Sequence, residues 1–136
     1  MRLRYKWLTV LLLALCCGCQ AHRAKAEVKE VTIYDVAAMV EEKQSFVVVL
    51  TQSMCSSCKD FKTMLSTWEP SQDTILYVVK LEEAAQQEGI VKELFPDFYA
   101  TPGIYYLKKG AVSDRFSASD YRSCTEAFTA WIKKHE

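Results

Sequence analysis

At 136 residues, half of them hydrophobic, the chain carries enough apolar material for one modest core and too little for two ordinary domains. Its formal net charge is zero, but residues 1–26 hold five Lys/Arg and no Asp/Glu, which leaves 12 Lys/Arg against 17 Asp/Glu, a net −5, on residues 27–136. An acidic domain has no electrostatic footprint for nucleic acid, so that class of partner is excluded.

Arg2, Arg4 and Lys6 precede an apolar stretch of 13 residues, Trp7 to Cys19, which is the layout of a bacterial export signal. At roughly 1.5 Å per residue the stretch falls well short of a hydrocarbon core of roughly 30 Å, so a stable membrane-spanning helix is the weaker reading. Two processing sites compete. Ala24-Lys25-Ala26 has the small-x-small pattern cut before Glu27, whereas Gly18-Cys19 suggests a lipoprotein site with Cys19 lipidated, although Cys16 stands where such sites usually carry Leu. An uncleaved tether is the third alternative. All three divide the chain into a leader with its tether, residues 1–26, and a folded domain, residues 27–136. They place that domain outside the cytoplasm, secreted or attached through the N-terminus to the outer face of the cytoplasmic membrane.

Val28 to Thr32 reads as a short first strand, and Thr32 with Asp35 resembles a capping box that opens a helix with Ile33, Val36, Ala37 and Val40 on its buried face. Phe46-Val47-Val48-Val49-Leu50 is a continuous apolar run, expected of a central strand covered on both faces. After it, Cys58, Phe61, Met64, Leu65 and Trp68 mark one face of a helix that Pro70 stops. Ile75 to Leu81 is a further strand, parallel to the preceding one, and Glu82 to Leu94 reads as a helix closed by Pro96. Gly103–Leu107, Lys108-Lys109-Gly110 and Ala111–Phe116 form a hairpin pattern. A last helix is expected from about Ser119, with Tyr121, Cys124, Phe128, Trp131 and Ile132 on one face. The order β-α-β-α-β-α-β-β-α predicts an α/β sheet with helices on both faces.

Of six cysteines, Cys16, Cys17 and Cys19 belong to the leader. Cys55, Cys58 and Cys124 remain in the domain, an odd number that admits at most one intramolecular bridge. Cys55-Ser56-Ser57-Cys58 spaces two thiols one helical turn apart, between the apolar strand and the helix. That position sets the first sulfur among the unpaired N–H groups and positive dipole of a helix start, where thiolate is favoured over thiol. Cys55, the more accessible, is the expected attacking thiol and Cys58 the resolving one, with Ser56 and Ser57 as supporting donors. Lys59 and Lys62 read as solvated helix lysines, and Asp60 partly cancels their charge.

The strand-CxxC-helix at 46–68, the Thr101-Pro102 dipeptide and the hairpin that follows resemble, in this order, the thioredoxin superfamily, and the resemblance covers residues 28–136. It implies a thioredoxin fold, with a central mixed sheet and helices on both faces, and a cis proline at Pro102 facing the cysteine pair. A cis turn would leave the Thr101 backbone free to pair with an extended substrate beside Cys55. The small exported domain with Cys-Ser-Ser-Cys is most similar to the bacteriocin transport accessory proteins of Gram-positive bacteria, which implies disulfide formation in a secreted peptide. Two departures mark the chain. Met54-Cys55-Ser56-Ser57-Cys58 replaces the common Trp-Cys-Gly-Pro-Cys, and Val49 stands where thioredoxins proper carry a buried acid.

These readings converge on an extracytoplasmic thiol-disulfide oxidoreductase (oxidase, isomerase or reductase) acting on cysteines of exported proteins or peptides. Thr101 and Pro102 would position substrate, and a membrane redox partner would reset the pair. No dissociable cofactor is required, because the cysteines carry the electrons. The alternative is a non-catalytic binding module for a secreted peptide or transporter component. A metal site is set aside, since one CxxC with His22 and His135 at opposite ends does not make four zinc ligands, and a lone Met54 is weak support for Cu(I). Cys124 is expected to be a buried, inert thiol, and at most one of Tyr105 and Tyr106, alternating along a strand, can join Tyr99 beside a peptide groove.

Overall fold

The computed structural model describes residues 23–136. The apolar leader, Cys19 and His22 lie outside the described residues.

The chain runs β1 (Ala26–Glu30), α1 (Ile33–Glu41), β2 (Phe46–Thr51), α2 (Ser56–Thr67), β3 (Thr74–Lys80), a 3-10 turn (Ala85–Gln87), α3 (Glu88–Leu94), β4 (Gly103–Lys108), β5 (Ala111–Phe116) and α4 (Thr125–Lys133). The sheet order is β1-β3-β2-β4-β5, with β1, β3 and β2 parallel and β4 and β5 antiparallel to their neighbours. This is the mixed sheet expected. β2 lies at its centre, and its five leading residues are all buried because alternate side chains enter two different cores. Phe46, Val48 and Leu50 pack with Ile33, Val36, Val91 and Phe95 under α1 and α3. Val47 and Val49 pack with Phe61, Met64, Trp68 and Phe128 under α2 and α4.

Local chemistry sets several boundaries as read from the sequence. Thr32 caps α1 in a capping box closed by Asp35, whose carboxylate accepts from the Thr32 hydroxyl and from the Thr32 N–H, each at 2.7 Å; the hydroxyl bond first, and the N–H bond after it, lower the Asp35 pKa. α2 ends at Thr67, and Trp68 turns extended two residues before Pro70. The Trp68 indole N–H donates to Thr129 Oγ1 at 3.0 Å and ties α2 to α4. In the β4–β5 hairpin Lys109 (φ 52°) and Gly110 (φ 78°) form the turn, and a Cβ on Gly110 would run into the Val40 carbonyl oxygen.

Two helices are shorter than their patterns predicted. Residues 82–87 form tight turns instead of the start of a helix, with Ala84 N–H donating to Leu81 O (3.1 Å) and Gln87 N–H to Ala84 O (2.8 Å). The Glu82 carboxylate is drawn away to accept the Ser53 N–H, while Ala84 tucks into the core at 4% exposure. The last helix starts at Thr125 instead of near Ser119. Asp120 accepts from the Arg122 N–H (2.9 Å) and the Ser123 hydroxyl (2.8 Å), a local side-chain network that competes with helical pairing.

The sheet also uses residues ahead of Glu27. Ala26 pairs with Thr74, the Thr74 N–H donates to Lys25 O at 3.0 Å, and the Lys25 N–H donates to the Asp73 carboxylate at 2.9 Å.

At the other end, Asp114 on β5 gathers the C-terminal helix. Its Oδ2 lies 2.9 Å from Lys134 Nζ, 2.9 Å from His135 Nε2 and 3.1 Å from Trp131 Nε1. His135, at the C-terminal end of the chain, is stacked on Tyr106 at 4.1 Å and held by this carboxylate and ring. The Lys134 hydrogen bond is the largest influence holding the Asp114 pKa at about 2, with smaller help from the Arg115 N–H and His135 and against the effect of burial. A depressed carboxylate pKa contributes stability that is full above the unfolded value and is lost as pH falls through the folded one. Asp114→Asn is therefore expected to cost about 2 kcal/mol at pH 7. In urea titrations the gap to the parent protein should close as pH falls from about 4 to about 2; a gap independent of pH would refute the assignment.

Candidate active site

β2 ends at Thr51, and Gln52 to Cys55 carry the chain from the sheet into α2. The turn that follows β3 holds this loop in place: Leu81 N–H donates to Thr51 O at 3.0 Å, and Ser53 N–H donates to Glu82. That backbone hydrogen bond is the main cause of a lowered Glu82 pKa. Glu82 went unnoticed in the sequence because it merged with a helical pattern.

Cys55 is extended (φ −102°, ψ 111°) and caps α2, its Sγ accepting the Cys58 N–H at 3.0 Å. The two cysteines form a disulfide with Cα atoms 5.2 Å apart. Cys58 is buried at 7% exposure on the face it shares with Phe61 and Met64, whereas Cys55 is half-buried. The spacing of the motif explains the difference, since Cys58 lies one turn inside the helix and Cys55 at its rim. Met54, just before the pair, is 96% exposed. Ser56 is exposed and Ser57 half-buried; the hydrogen bond to Cys55 Sγ comes from the backbone of Cys58 and from neither hydroxyl.

The loop before β4 meets the pair from across the sheet. The Thr101-Pro102 peptide bond is cis, Pro102 is buried, and the Thr101 carbonyl oxygen lies 3.4 Å from Cys55 Sγ. A disulfide sulfur has no proton to give, so this is a contact in the oxidised protein and a hydrogen-bond acceptor for a reduced Cys55 thiol. Gly103 lets the loop approach, because a Cβ there would lie 2.9 Å from the Phe98 ring and 3.1 Å from that of Tyr105.

The other candidates separate from the pair. Cys124 is buried in the core under α2 and α4 and donates to Tyr121 O at 3.2 Å; burial raises its pKa and keeps the thiol protonated. Tyr105 is buried in the opposite core against Phe95, and Tyr106 stacks on His135, so packing occupies both; Tyr99 is 80% exposed under the Arg115 guanidinium. Asp60 pairs with Arg122 at 2.6 Å across to the segment before α4, while Lys59 and Lys62 are exposed. Among the described residues no three His, Cys, Asp or Glu side chains converge as metal ligands.

Behind the disulfide, a cleft of about 750 Å³ opens between α2 and the β1 edge of the sheet. Cys58 and Pro102 line its inner end, and so does Val49, in the position where a buried acid would otherwise stand. No charged residue is buried among the described residues.

No protein-family model and no curated protein sequence matches the chain. Solved structures share its fold. Oxidised thioredoxin from Plasmodium falciparum aligns with a TM-score of 0.57 at 14% identity, over 80% of this chain and 98% of that one. Thioredoxin from Malassezia sympodialis gives 0.54 at 21% identity, over 84% and 97% of the two chains. Spinach chloroplast thioredoxin f gives 0.54 at 21% identity, over 76% and 92%. With this topology, and with Cys55 and Cys58 bridged at the start of α2, the chain is a thioredoxin-fold α/β protein with a Cys-x-x-Cys pair.

Proposed function

We propose that the protein is an extracytoplasmic thiol-disulfide oxidoreductase acting on cysteines of exported proteins or peptides. One observation carries this reading: the Cys55 sulfur is at once the cap of α2, half of a disulfide and the atom against the Thr101 carbonyl. In the oxidising direction a substrate thiolate attacks Cys55 Sγ, the Cys55–Cys58 bond breaks, and the Cys58 sulfur leaves with the electron pair and takes up a proton. A second substrate thiolate then attacks the substrate sulfur of the mixed disulfide and releases Cys55 as thiolate. The substrate loses two electrons and the pair gains them. The Cys58 N–H and the helix dipole stabilise the Cys55 thiolate released in the second step. The reverse sequence reduces a substrate disulfide, and the membrane redox partner together with the reduction potential decides which way it runs.

The test is to trap the intermediate. Reduced Cys58→Ala protein, mixed with a disulfide-bonded peptide, should form one covalent adduct through Cys55 while the second peptide sulfur departs as thiol. Intact mass should show it, and dithiothreitol should release it. Absence of the adduct overturns the proposal.

Export and lipidation belong to the same proposal. Cleavage before Glu27 would remove the strand bonds made by Lys25 and Ala26, whereas cleavage before Cys19 keeps them. These bonds count against cleavage before Glu27 and are kept both by a mature chain that begins at a lipidated Cys19 and by an uncleaved tether; the Gly18-Cys19 pattern favours the first. Intact mass of the protein recovered from membranes should include residues 19–26 plus lipid; a chain that starts at Glu27, or one that retains residues 1–18, would refute this. The resemblance to bacteriocin transport accessory proteins supports a secreted peptide as substrate.

A further inference from the structure

The cleft behind the disulfide is not used by the exchange steps above. Its floor is Ala26, Val28 and Glu30 of β1, Val78 and Lys80 of β3, and Val49 and Thr51 of β2; its roof is α2. Inside, Leu65 and Val78 are half-buried and Phe61 is almost wholly buried, while Val28, a large apolar side chain on an edge strand, remains 53% exposed among the described residues. The cleft is open to solvent, and its volume lies within the range of ligand clefts. The cleft reaches the buried sulfur of the redox pair, because Cys58, though not Cys55, lines it together with Gln52, Ser53 and Pro102.

The rim supplies the second part of the argument. Lys59 and Lys62 stand one turn apart on the α2 edge of the cleft, exposed and without an ion pair among the described residues, while Lys80 across from them is paired to Glu30 at 2.8 Å. Two unpaired positive charges thus flank an apolar trough on a domain whose net charge is −5. The local sign is opposite to that of the whole domain.

We propose that this cleft receives an apolar segment with adjoining acidic residues, next to the reactive cysteine of the protein or peptide that exchanges with Cys55. The inference rests on the exchange reading and adds a substrate class to it. Apolar side chains fill the trough lined by Leu65, Val78 and Val28, and carboxylates on either side meet Lys59 and Lys62. Because the domain as a whole attracts cationic peptides, a preference for acidic flanks reports the rim alone.

The experiment measures the rate of exchange between oxidised protein and three dithiol peptides of one length. Their cysteines are flanked by leucine and glutamate, by serine and glutamate, or by leucine and lysine. The leucine–glutamate peptide should react about fivefold faster than either of the others at low salt, and the charge preference should fade at high salt. In Lys59→Gln/Lys62→Gln protein the charge preference should disappear while the leucine preference stays. Val28→Asp, at an exposed position that tolerates a polar side chain, should remove the leucine preference. Equal rates for all three peptides, or faster reaction of the lysine-flanked one, overturn the inference and leave the exchange reading standing. Exchange with none of them overturns both. A concentration-dependent dimer that Val28→Asp dissolves would instead assign the cleft to a second copy of this chain and overturn the inference.

Discussion

Replacing Cys55 by serine is expected to lower the rate of disulfide exchange on the order of 10³-fold or more, to background. A hydroxyl at this position is not ionised near neutral pH and forms no mixed disulfide, so both steps that use the Cys55 sulfur are lost. Cys58→Ser should also end turnover but keep the first covalent step, because Cys55 and the backbone N–H of residue 58 that bonds it both remain. Both variants lose the bridge, which closes a short loop and is worth about 2 kcal/mol on the chain-entropy account. They should therefore show similar losses of stability but different covalent chemistry, and only chemistry separates them. Cys124 provides a control: it is buried away from the pair, and Cys124→Ala should leave exchange rates as they are. If Cys55→Ser protein supports the full biological activity, the fold is serving as a binding module and the disulfide is a structural bridge.

Replacing Phe128 by alanine is expected to destabilise the protein by about 3–5 kcal/mol, a large share of the roughly 5–15 kcal/mol typical of a domain. Phe128 has no exposed surface, and its ring meets those of Phe61 (5.2 Å), Trp68 (4.9 Å), Phe116 (5.2 Å) and Trp131 (6.0 Å). Truncation leaves a void among four rings held on three elements and on Trp68 at the end of α2, which cannot all move in together. The consequence extends to the active site. Phe61 and Trp68 are contacts of the helix that carries Cys58, so α2 loses its main support from α4. Urea denaturation should show the midpoint falling with little change in slope, and Phe128→Leu should recover about half of the loss. A loss below about 1.5 kcal/mol would mean that the cavity collapses, and that α2 and α4 are less tightly joined than this cluster implies.

Much of the fold could be read from short windows. The Phe46–Leu50 run announced a strand buried on both sides, Thr32 with Asp35 announced the start of α1, and Lys109-Gly110 announced the hairpin turn. Each depends on residues a few positions apart, and their preferences survive because the tertiary structure agrees with them. The two overlong helices fail for the complementary reason. Helical spacing from Glu82 and from Ser119 was genuine, but Glu82 is claimed by Ser53, 29 residues away, and Asp120 by its own neighbours. Periodicity does not register such competition.

At the candidate site, the order of residues already contained the chemistry: two thiols a turn apart between a buried strand and a helix, and a Thr-Pro dipeptide before the next strand. Which groups meet depended on the sheet. Because β2 and β4 are neighbours, the Thr101 carbonyl comes to 3.4 Å from the Cys55 sulfur, 46 positions earlier. Because β1 and β3 lie on the other side of β2, Val28, Val78 and α2 enclose the cleft that ends at Cys58. Spacing and turn chemistry act over a few residues and leave their mark in the chain. Contacts across the sheet follow from strand order and packing, which are properties of the whole folded domain.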